Sequence, residues 1–158
     1  MDKTNAVRLL DARQIAYRMK VYDPSGEFHD AVEAAALIGA PAESVYKTIV
    51  VLRETGGKPL LVMIPAHREV NLKLLAKETG NKKLRIAAHK EAEQLTGLQV
   101  GGISALALLN KGFEVYLDAG AQTRDAIHIS AGARGVDIEL AVKDLIAVTR
   151  ARVVRAVA

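Results

Sequence analysis

The sequence of 158 residues contains no cysteine, no tryptophan and only 4 prolines. Without cysteine, the chain can form no disulfide, no zinc–thiolate or iron–sulfur centre and no thiol nucleophile. Aromatic residues make up only 4%, so a base-stacking platform for single-stranded nucleic acid is not expected. No apolar run reaches about 18 residues and no leader-like pattern opens the chain, so we expect a cytoplasmic protein that does not enter a membrane.

Hydrophobic residues account for 50% of the chain, and the net charge is +4. Runs rich in β-branched residues alternate with stretches rich in alanine and leucine, which predicts a mixed α/β fold. The length, and the lack of a linker or repeat, predict a compact single domain over residues 1–158. Two basic clusters are typical either of an anionic partner, most often nucleic acid, or of an ordinary solvated surface: Lys82, Lys83 and Arg85, and Arg150, Arg152 and Arg155.

Capping residues and hydrophobic periodicity divide the chain into alternating helices and strands. Thr4, Asp30 and Asn71 are predicted N-caps. The predicted helices cover about 5–17, 31–38, 72–79, 89–96 and 141–148. The predicted strands cover about 19–22, 46–54, 59–65, 84–87, 113–117, 126–129 and 136–140.

Lys47 lies in the apolar run 45–52, which reads as a buried strand. Side chains alternate along a strand, so Lys47 shares a face with Ile49 and Val51. An ammonium group on an apolar face is costly unless it reaches water, pairs with an acid or binds a ligand. Lys47 is therefore either a structural lysine that extends to the surface or a functional one.

Two glycine-rich segments are candidates for binding. In the first, Gly101 and Gly102 allow backbone N–H groups to converge on an anion or a carbonyl oxygen, and Ser104 adds a hydroxyl. The second, at 130–135, contains Arg134, which can bind phosphate or carboxylate. Each segment also fits a simple turn. Asp137 and Glu139 follow on one face of a predicted strand. They are either counter-charges for Lys47 or Arg134, or simply part of an exposed face.

The common catalytic motifs are missing from the sequence. The 4 histidines have no metal-binding spacing, and the chain has no nucleophile elbow, P-loop or dinucleotide fingerprint. No metal and no cofactor are therefore expected. If the protein is an enzyme, a lysine and backbone amides must do the polar work.

Three segments in this order, 46–51, 100–104 and 129–140, resemble the YbaK/EbsC family of aminoacyl-tRNA deacylases. This family is related to the editing insertion domain of bacterial prolyl-tRNA synthetase. The likeness runs from about Val7 to Leu145 and is strongest to the YbaK branch, whose members remove mischarged cysteine from proline tRNA. It implies a largely closed, barrel-like sheet flanked by helices, with a pocket at its mouth.

The resemblance implies that Lys47 is the essential pocket lysine. It also implies that Gly101 and Gly102 face the scissile ester and that their backbone amides stabilise the carbonyl oxygen. Four further residues match aromatic or polar positions of the substrate pocket: Tyr22, Phe28, Ser130 and Asp137. The family loop reads Gly-Gly-x-Ser-Pro and continues to another glycine, whereas this chain has Ala105 and Ala107 at the last two positions.

The activity implied is trans-editing, in which the ester between an amino acid and the tRNA 3′ end is cleaved, with Cys-tRNA(Pro) as the expected substrate. The partners implied are the tRNA acceptor end, contacted by the basic clusters, and prolyl-tRNA synthetase. Two alternatives stay open: a deacylase for Ala- or Ser-mischarged tRNA, and a non-catalytic module that binds tRNA or a synthetase. The sequence leaves open which amino acid and tRNA are edited, and the oligomeric state.

Overall fold

The computed structural model describes residues 3–23 and 30–158, so Phe28 lies outside the described residues. The α-helices are α1 Asn5–Ala12, α2 Ala31–Leu37, α3 Leu72–Thr79, α4 His89–Thr96 and α5 Val142–Thr149. The strands are β1 Tyr17–Val21, β2 Tyr46–Arg53, β3 Leu60–Pro65, β4 Leu84–Ile86, β5 Glu114–Asp118, β6 Ala126–Ala133, β7 Val136–Ala141 and β8 Arg152–Val154. Short 3₁₀ turns lie at Ala42–Ser44, Leu106–Leu108 and Ala119–Thr123.

The strands form two open sheets, and the expectation of a largely closed, barrel-like sheet is wrong. A three-stranded antiparallel sheet has the order β1-β7-β6, and a five-stranded mixed sheet has the order β4-β2-β3-β5-β8. A single parallel bridge, between Val45 and His128, joins them. The sheet does not close because its outer strands are short: β4 pairs with only three residues of β2, and β8 with only three of β5.

The three-stranded sheet buries one apolar face, whereas the five-stranded sheet is covered on both, with alternate residues of β3 in two separate cores. In the three-stranded sheet, Met19, Ile138 and Ile129 stand in register across the strands. Ile138 and Ile129 belong to the main core, together with apolar residues of α1 and α5, and Met19 packs against it. Because side chains alternate, the residues between them point to the other face of this sheet. That second face is polar, and it is the one that bears on the candidate site.

Helix α1 ends earlier than the sequence predicts. The predicted Thr4 cap is present, since its hydroxyl accepts a 3.2 Å hydrogen bond from the Val7 N–H. The helix stops at Ala12 because Gln14 adopts a left-handed conformation with φ 58°, and the Ile15 N–H closes the end on the Leu10 carbonyl at 2.9 Å. Glycine is the usual residue at such a position, so glutamine gives no sequence signal there.

The two ends of the described chain pack into the cores. Ala6 and Ala156 are fully buried. The Asp118 carboxylate accepts a hydrogen bond from the Ala156 N–H at 2.9 Å and another from the Gly120 N–H at 3.0 Å. Within residues 3–23 and 30–158, no helix is long and apolar enough to span a bilayer.

Candidate active site

A cavity of about 390 Å³ lies between the two sheets. That volume is in the range of about 300–1,000 Å³ that suits a small ligand. Strand β4 pairs with the last three residues of β2, and the Ala87 N–H just after it donates to the Val50 carbonyl at 2.9 Å, so residues 46–49 have no β4 partner on that side. All residues from Val45 to Val50 line the cavity, on both faces of β2, as expected where a cavity abuts a strand edge. The other lining residues used below are Tyr22, Glu69, His89, Gly101, Ser130 and Asp137.

Lys47 reaches the cavity from β2. Its side chain is 22% exposed, and its ammonium nitrogen lies 3.4 Å from a carboxylate oxygen of Glu69, which is 84% exposed. An ion pair with so exposed a partner is weak. Lys47 is therefore neither buried among apolar groups nor fixed by a strong structural pair, and its charge is available to a ligand that displaces Glu69.

Asp137 carries a buried carboxyl in the cavity wall. It stands in register between Lys20 of β1 and Ser130 of β6, on the polar face of the three-stranded sheet. The residue is 5% exposed, and no described group hydrogen-bonds its carboxylate. Burial raises the pKa of Asp137 to about 6. Loss of water disfavours the charged form of a carboxyl that has no compensating partner.

Tyr22 closes the same wall. Its backbone N–H donates to the Gly135 carbonyl at 2.9 Å, which continues the β1–β7 pairing beyond Val21. The side chain is nearly buried, and burial raises the pKa of its phenol, with the nearby Asp137 charge adding to the effect. Tyr22 and Asp137 are thus close enough to interact electrostatically, and both border the cavity.

The two glycines of the predicted loop have different roles. Gly102 donates its N–H to the Gln99 carbonyl at 2.8 Å, and Gly101 has φ 94° at the third position of this turn. A type II turn requires such a conformation and favours glycine there. Gly101 is exposed and lines the cavity, whereas Gly102 is buried and does not.

A close backbone contact explains glycine at 102. An ideal Cβ on Gly102 would lie 2.9 Å from the Ala133 carbonyl carbon and 2.9 Å from the Arg134 nitrogen. The prediction that its amide faces an ester is therefore corrected, because that amide is used within the turn. Gly101, in contrast, has no recorded acceptor for its N–H among the described residues.

Ser104 and Arg134 do not line the cavity. Ser104 is 1% exposed, and its hydroxyl has no hydrogen-bond partner among the described residues. The chain enters the core directly after Gly102, which carries Ser104 away from the cavity. Arg134 donates from Nε to the Val100 carbonyl at 2.7 Å, behind the glycine turn. The structure therefore does not place Ser104 or Arg134 where the sequence predicts them, in contact with a substrate in this cavity.

Two cavity residues escaped the sequence analysis. Glu69 lies in the segment between β3 and α3 and meets Lys47 from a distance of 22 residues along the chain; no local pattern marks it. His89 begins α4 and lines the cavity. It has no metal-binding spacing to mark it in the sequence. In the described part of the chain, no group of three or more His, Asp or Glu side chains is arranged to hold a metal ion.

Three of the six residues in the two basic clusters pair with acids. Arg85 makes two hydrogen bonds to Glu91, at 2.9 and 3.0 Å. Lys83 lies 3.5 Å from Glu54, and Arg155 lies 3.3 Å from Glu78. Their contribution to a positive surface is therefore smaller than the sequence suggests, and their contact with tRNA phosphates stays a prediction.

The fold and cavity define a site for a small carbonyl-bearing or charged ligand, enclosed by a lysine, a carboxyl and a glycine turn. A family model described as an aminoacyl-tRNA editing domain matches residues 26–148. The chain belongs to this aminoacyl-tRNA editing domain family. A relative from Enterococcus faecalis, provisionally named Cys-tRNA(Pro)/Cys-tRNA(Cys) deacylase EbsC, is 35% identical over 147 residues, which cover 93% of this chain and 88% of the relative.

Solved structures share the fold over their whole length. The crystal structure of the hypothetical protein APE2540 superposes with a TM-score of 0.85 at 25% identity, covering 97% of this chain and 99% of that one. A second structure, provisionally described as a trans-editing enzyme for prolyl-tRNA synthetase, has a TM-score of 0.79 at 22% identity and covers 100% of this chain and 99% of its own. The mixed α/β fold with two sheets is thus shared with these solved structures.

Proposed function

We propose that this protein is a single-domain trans-editing deacylase, over residues 1–158, that cleaves the ester between an amino acid and the 3′ end of a mischarged tRNA. The observation that carries the proposal is that Lys47 and Gly101 line the same cavity in a member of the editing family. A cation and a free backbone N–H are groups that stabilise a carbonyl oxygen as it becomes negative.

Each polar group has a part in the proposed reaction. Lys47 exchanges Glu69 for the substrate's carbonyl or terminal phosphate, and the Gly101 N–H donates to the carbonyl oxygen. Asp137 accepts the α-ammonium group, which supplies a hydrogen-bonded counter-charge that no described residue gives this buried carboxyl. Tyr22 and Ser130 border the same space, and Phe28 remains a predicted neighbour of the aminoacyl group.

Cysteine is the amino acid we propose for removal. The relative's name supports this choice. The chain itself contains no cysteine, so a thiol nucleophile can come only from the substrate. In the proposed step the substrate thiol gives up its proton, and its sulfur attacks the ester carbonyl carbon. The carbon–oxygen bond to the ribose breaks, the proton ends on the released tRNA hydroxyl, and the amino acid leaves as a four-membered thiolactone. Water then opens the thiolactone.

The proposed partners are the acceptor end of proline tRNA and a prolyl-tRNA synthetase. A cavity of about 390 Å³ takes an aminoacyl group and little more, so selection of the tRNA must come from contacts outside the cavity. A synthetase that already holds the tRNA supplies such selection. The description of one structural neighbour as a trans-editing enzyme for prolyl-tRNA synthetase supports this choice.

Deacylation of a matched panel tests the proposal. Purified protein is incubated with Cys-, Ser-, Ala- and Pro-tRNA(Pro), and the remaining ester is measured on acid gels. We expect Cys-tRNA(Pro) to be cleaved fastest, because serine lacks the nucleophilic sulfur and alanine lacks any nucleophile. Preference for Ala- or Ser-tRNA(Pro) would favour a water-using deacylase, and binding of tRNA without any turnover would favour the non-catalytic module.

Lys47→Ala tests the site. We expect turnover to fall by at least about 100-fold, since the variant loses the charge that stabilises the carbonyl oxygen, while the circular-dichroism spectrum stays that of the parent. Lys73→Ala, which removes an exposed lysine on α3, is the matched control and should retain full activity. An active, folded Lys47→Ala variant would refute the assignment.

A further inference from the structure

Val100 immediately precedes Gly101 and is held from both sides by charged side chains. Its N–H donates to Oε2 of Glu93 at 2.9 Å, and its carbonyl accepts from Nε of Arg134 at 2.7 Å. Both side chains belong to half-buried residues. Hydrogen bonds to ionised groups are roughly twice as strong as those between neutral groups, so this one residue carries two strong restraints.

The two restraints come from separate parts of the fold. Glu93 lies on α4, whereas Arg134 lies in the turn between β6 and β7, 34 residues away from Val100. The next anchor along the chain is Gly102, whose missing side chain permits direct contact with the Ala133–Arg134 backbone. Gly101, the residue that faces the cavity, is therefore fixed on both of its sides.

We propose that Glu93 and Arg134 are positioning residues that hold the Gly101 N–H at the place where the substrate's carbonyl oxygen develops charge. This proposal rests on the deacylase function proposed above. Neither residue lines the cavity, so both act through Val100 rather than on the substrate. A backbone donor must sit within a few tenths of an ångström of its productive position, and a displacement of about 1 Å costs on the order of 100-fold in rate.

The kinetic test compares two changes at Glu93. Glu93→Ala removes the acceptor, and we expect kcat to fall by about 10- to 100-fold at a nearly unchanged KM, because substrate contacts remain. Glu93→Gln keeps an amide oxygen that accepts from the Val100 N–H and should recover most of the loss. Gln94→Ala, at an exposed position of the same helix, is the control and should behave as the parent.

A second pair of variants tests the arginine. Arg134→Met should reproduce the kcat defect of Glu93→Ala. The double variant should be less impaired than the two single effects combined, because both act on one residue. A rise in KM with kcat unchanged would mean that Arg134 binds the substrate directly, and would overturn the positioning role. If Glu93→Gln were as impaired as Glu93→Ala, the positioning role of Glu93 would also be overturned.

Hydrogen exchange separates this proposal from the proposed function. In the free protein, the Val100 amide should exchange at least about tenfold faster in Glu93→Ala than in the parent, since its acceptor is gone. Unchanged exchange overturns the positioning role whatever the activity. If the parent cleaves no ester while exchange changes as expected, the restraint on the turn stands, and it is the deacylase function that fails.

Discussion

At the scale of single residues, the cavity holds two groups whose charges are poorly compensated in the free protein. Among the described residues, the Lys47 ammonium pairs with a single exposed carboxylate, 3.4 Å away. The Asp137 carboxyl is buried, with a pKa of about 6 and no described hydrogen-bond partner. Both groups can bind a ligand that brings a complementary charge or dipole, and the buried Asp137 carboxyl costs stability when it is ionised in the empty cavity.

Asp137→Asn should stabilise the protein at pH 7 while lowering its activity. The pKa of Asp137 is raised in the folded state, so its stability penalty grows as pH rises from about 4 to about 6 and is complete above that. A shift of that size corresponds to at most roughly 3 kcal/mol. Urea unfolding at pH 7 should favour the variant, and the difference should vanish near pH 4.

The neighbours that face Asp137 are Lys20, Ser130 and Tyr22. Lys20→Met serves as the control for the pH effect, because it removes the charge opposite Asp137 without changing the carboxyl itself. Equal stability of the parent and Asp137→Asn at both pH values would show that the carboxyl is not strained. Undiminished deacylation by Asp137→Asn would remove Asp137 from the substrate site.

Gly102→Ala should cost about 1–3 kcal/mol of unfolding free energy. The added methyl would meet backbone atoms 2.9 Å away, and backbone cannot rotate aside as a side chain does. Chemical denaturation measures the loss. Gly39→Ala is the control, because its Cβ would meet nothing within 4 Å and only the left-handed backbone at φ 73° opposes it. A loss below about 0.5 kcal/mol for Gly102→Ala would show that the close contact is not a constraint.

Lys47 and Gly101 were predictable because each breaks a local rule that a cavity explains: a charge on an apolar strand, and a glycine pair ahead of a core segment. The sequence could not show that Gly101 lines the cavity while Gly102 and Ser104 do not. Which amide faces the cavity depends on the Gln99–Gly102 hydrogen bond. That bond follows from the approach of the β6–β7 turn, a contact between segments about 30 residues apart.

At the scale of elements, the segment after the glycine turn forms a second tight turn. The Ala107 N–H donates to the Ser104 carbonyl at 3.1 Å, and Ala105, between them, has φ −60° and ψ −33°. These are the angles of the first central residue of a type I turn, where proline is favoured. Alanine thus adopts the conformation that the family's proline would impose.

Ala105→Pro should therefore be tolerated, with a change in stability within about 1 kcal/mol and with deacylation retained. The Ala105 N–H has no recorded acceptor among the described residues, so its loss removes no bond. Thermal unfolding and the Cys-tRNA(Pro) assay measure the two effects. Ala105 is only 1% exposed. A loss of more than about 2 kcal/mol would therefore show that this buried position has no room for the proline ring.

At the scale of the whole molecule, sequence predicted the mixed α/β character and most element centres. It did not predict how the sheets end. Hydrophobic alternation identifies Val51 and Leu52 as strand residues equally well whether β4 pairs with all of β2 or only with its last three residues. The open edge, and hence the cavity, follows from the length of β4 and the position of α4. Neither is encoded in β2 itself.

The open edge of β2 also affects how this protein tolerates sequence change. Part of the cavity wall is main chain, contributed by consecutive residues of one strand and by the Gly101 amide. Main-chain atoms survive every substitution that preserves the fold. An alanine scan would therefore register side chains such as Lys47 and Asp137 and would not register the main-chain part of the wall. Relatives can differ at most cavity positions and still present the same backbone donors and acceptors to a substrate.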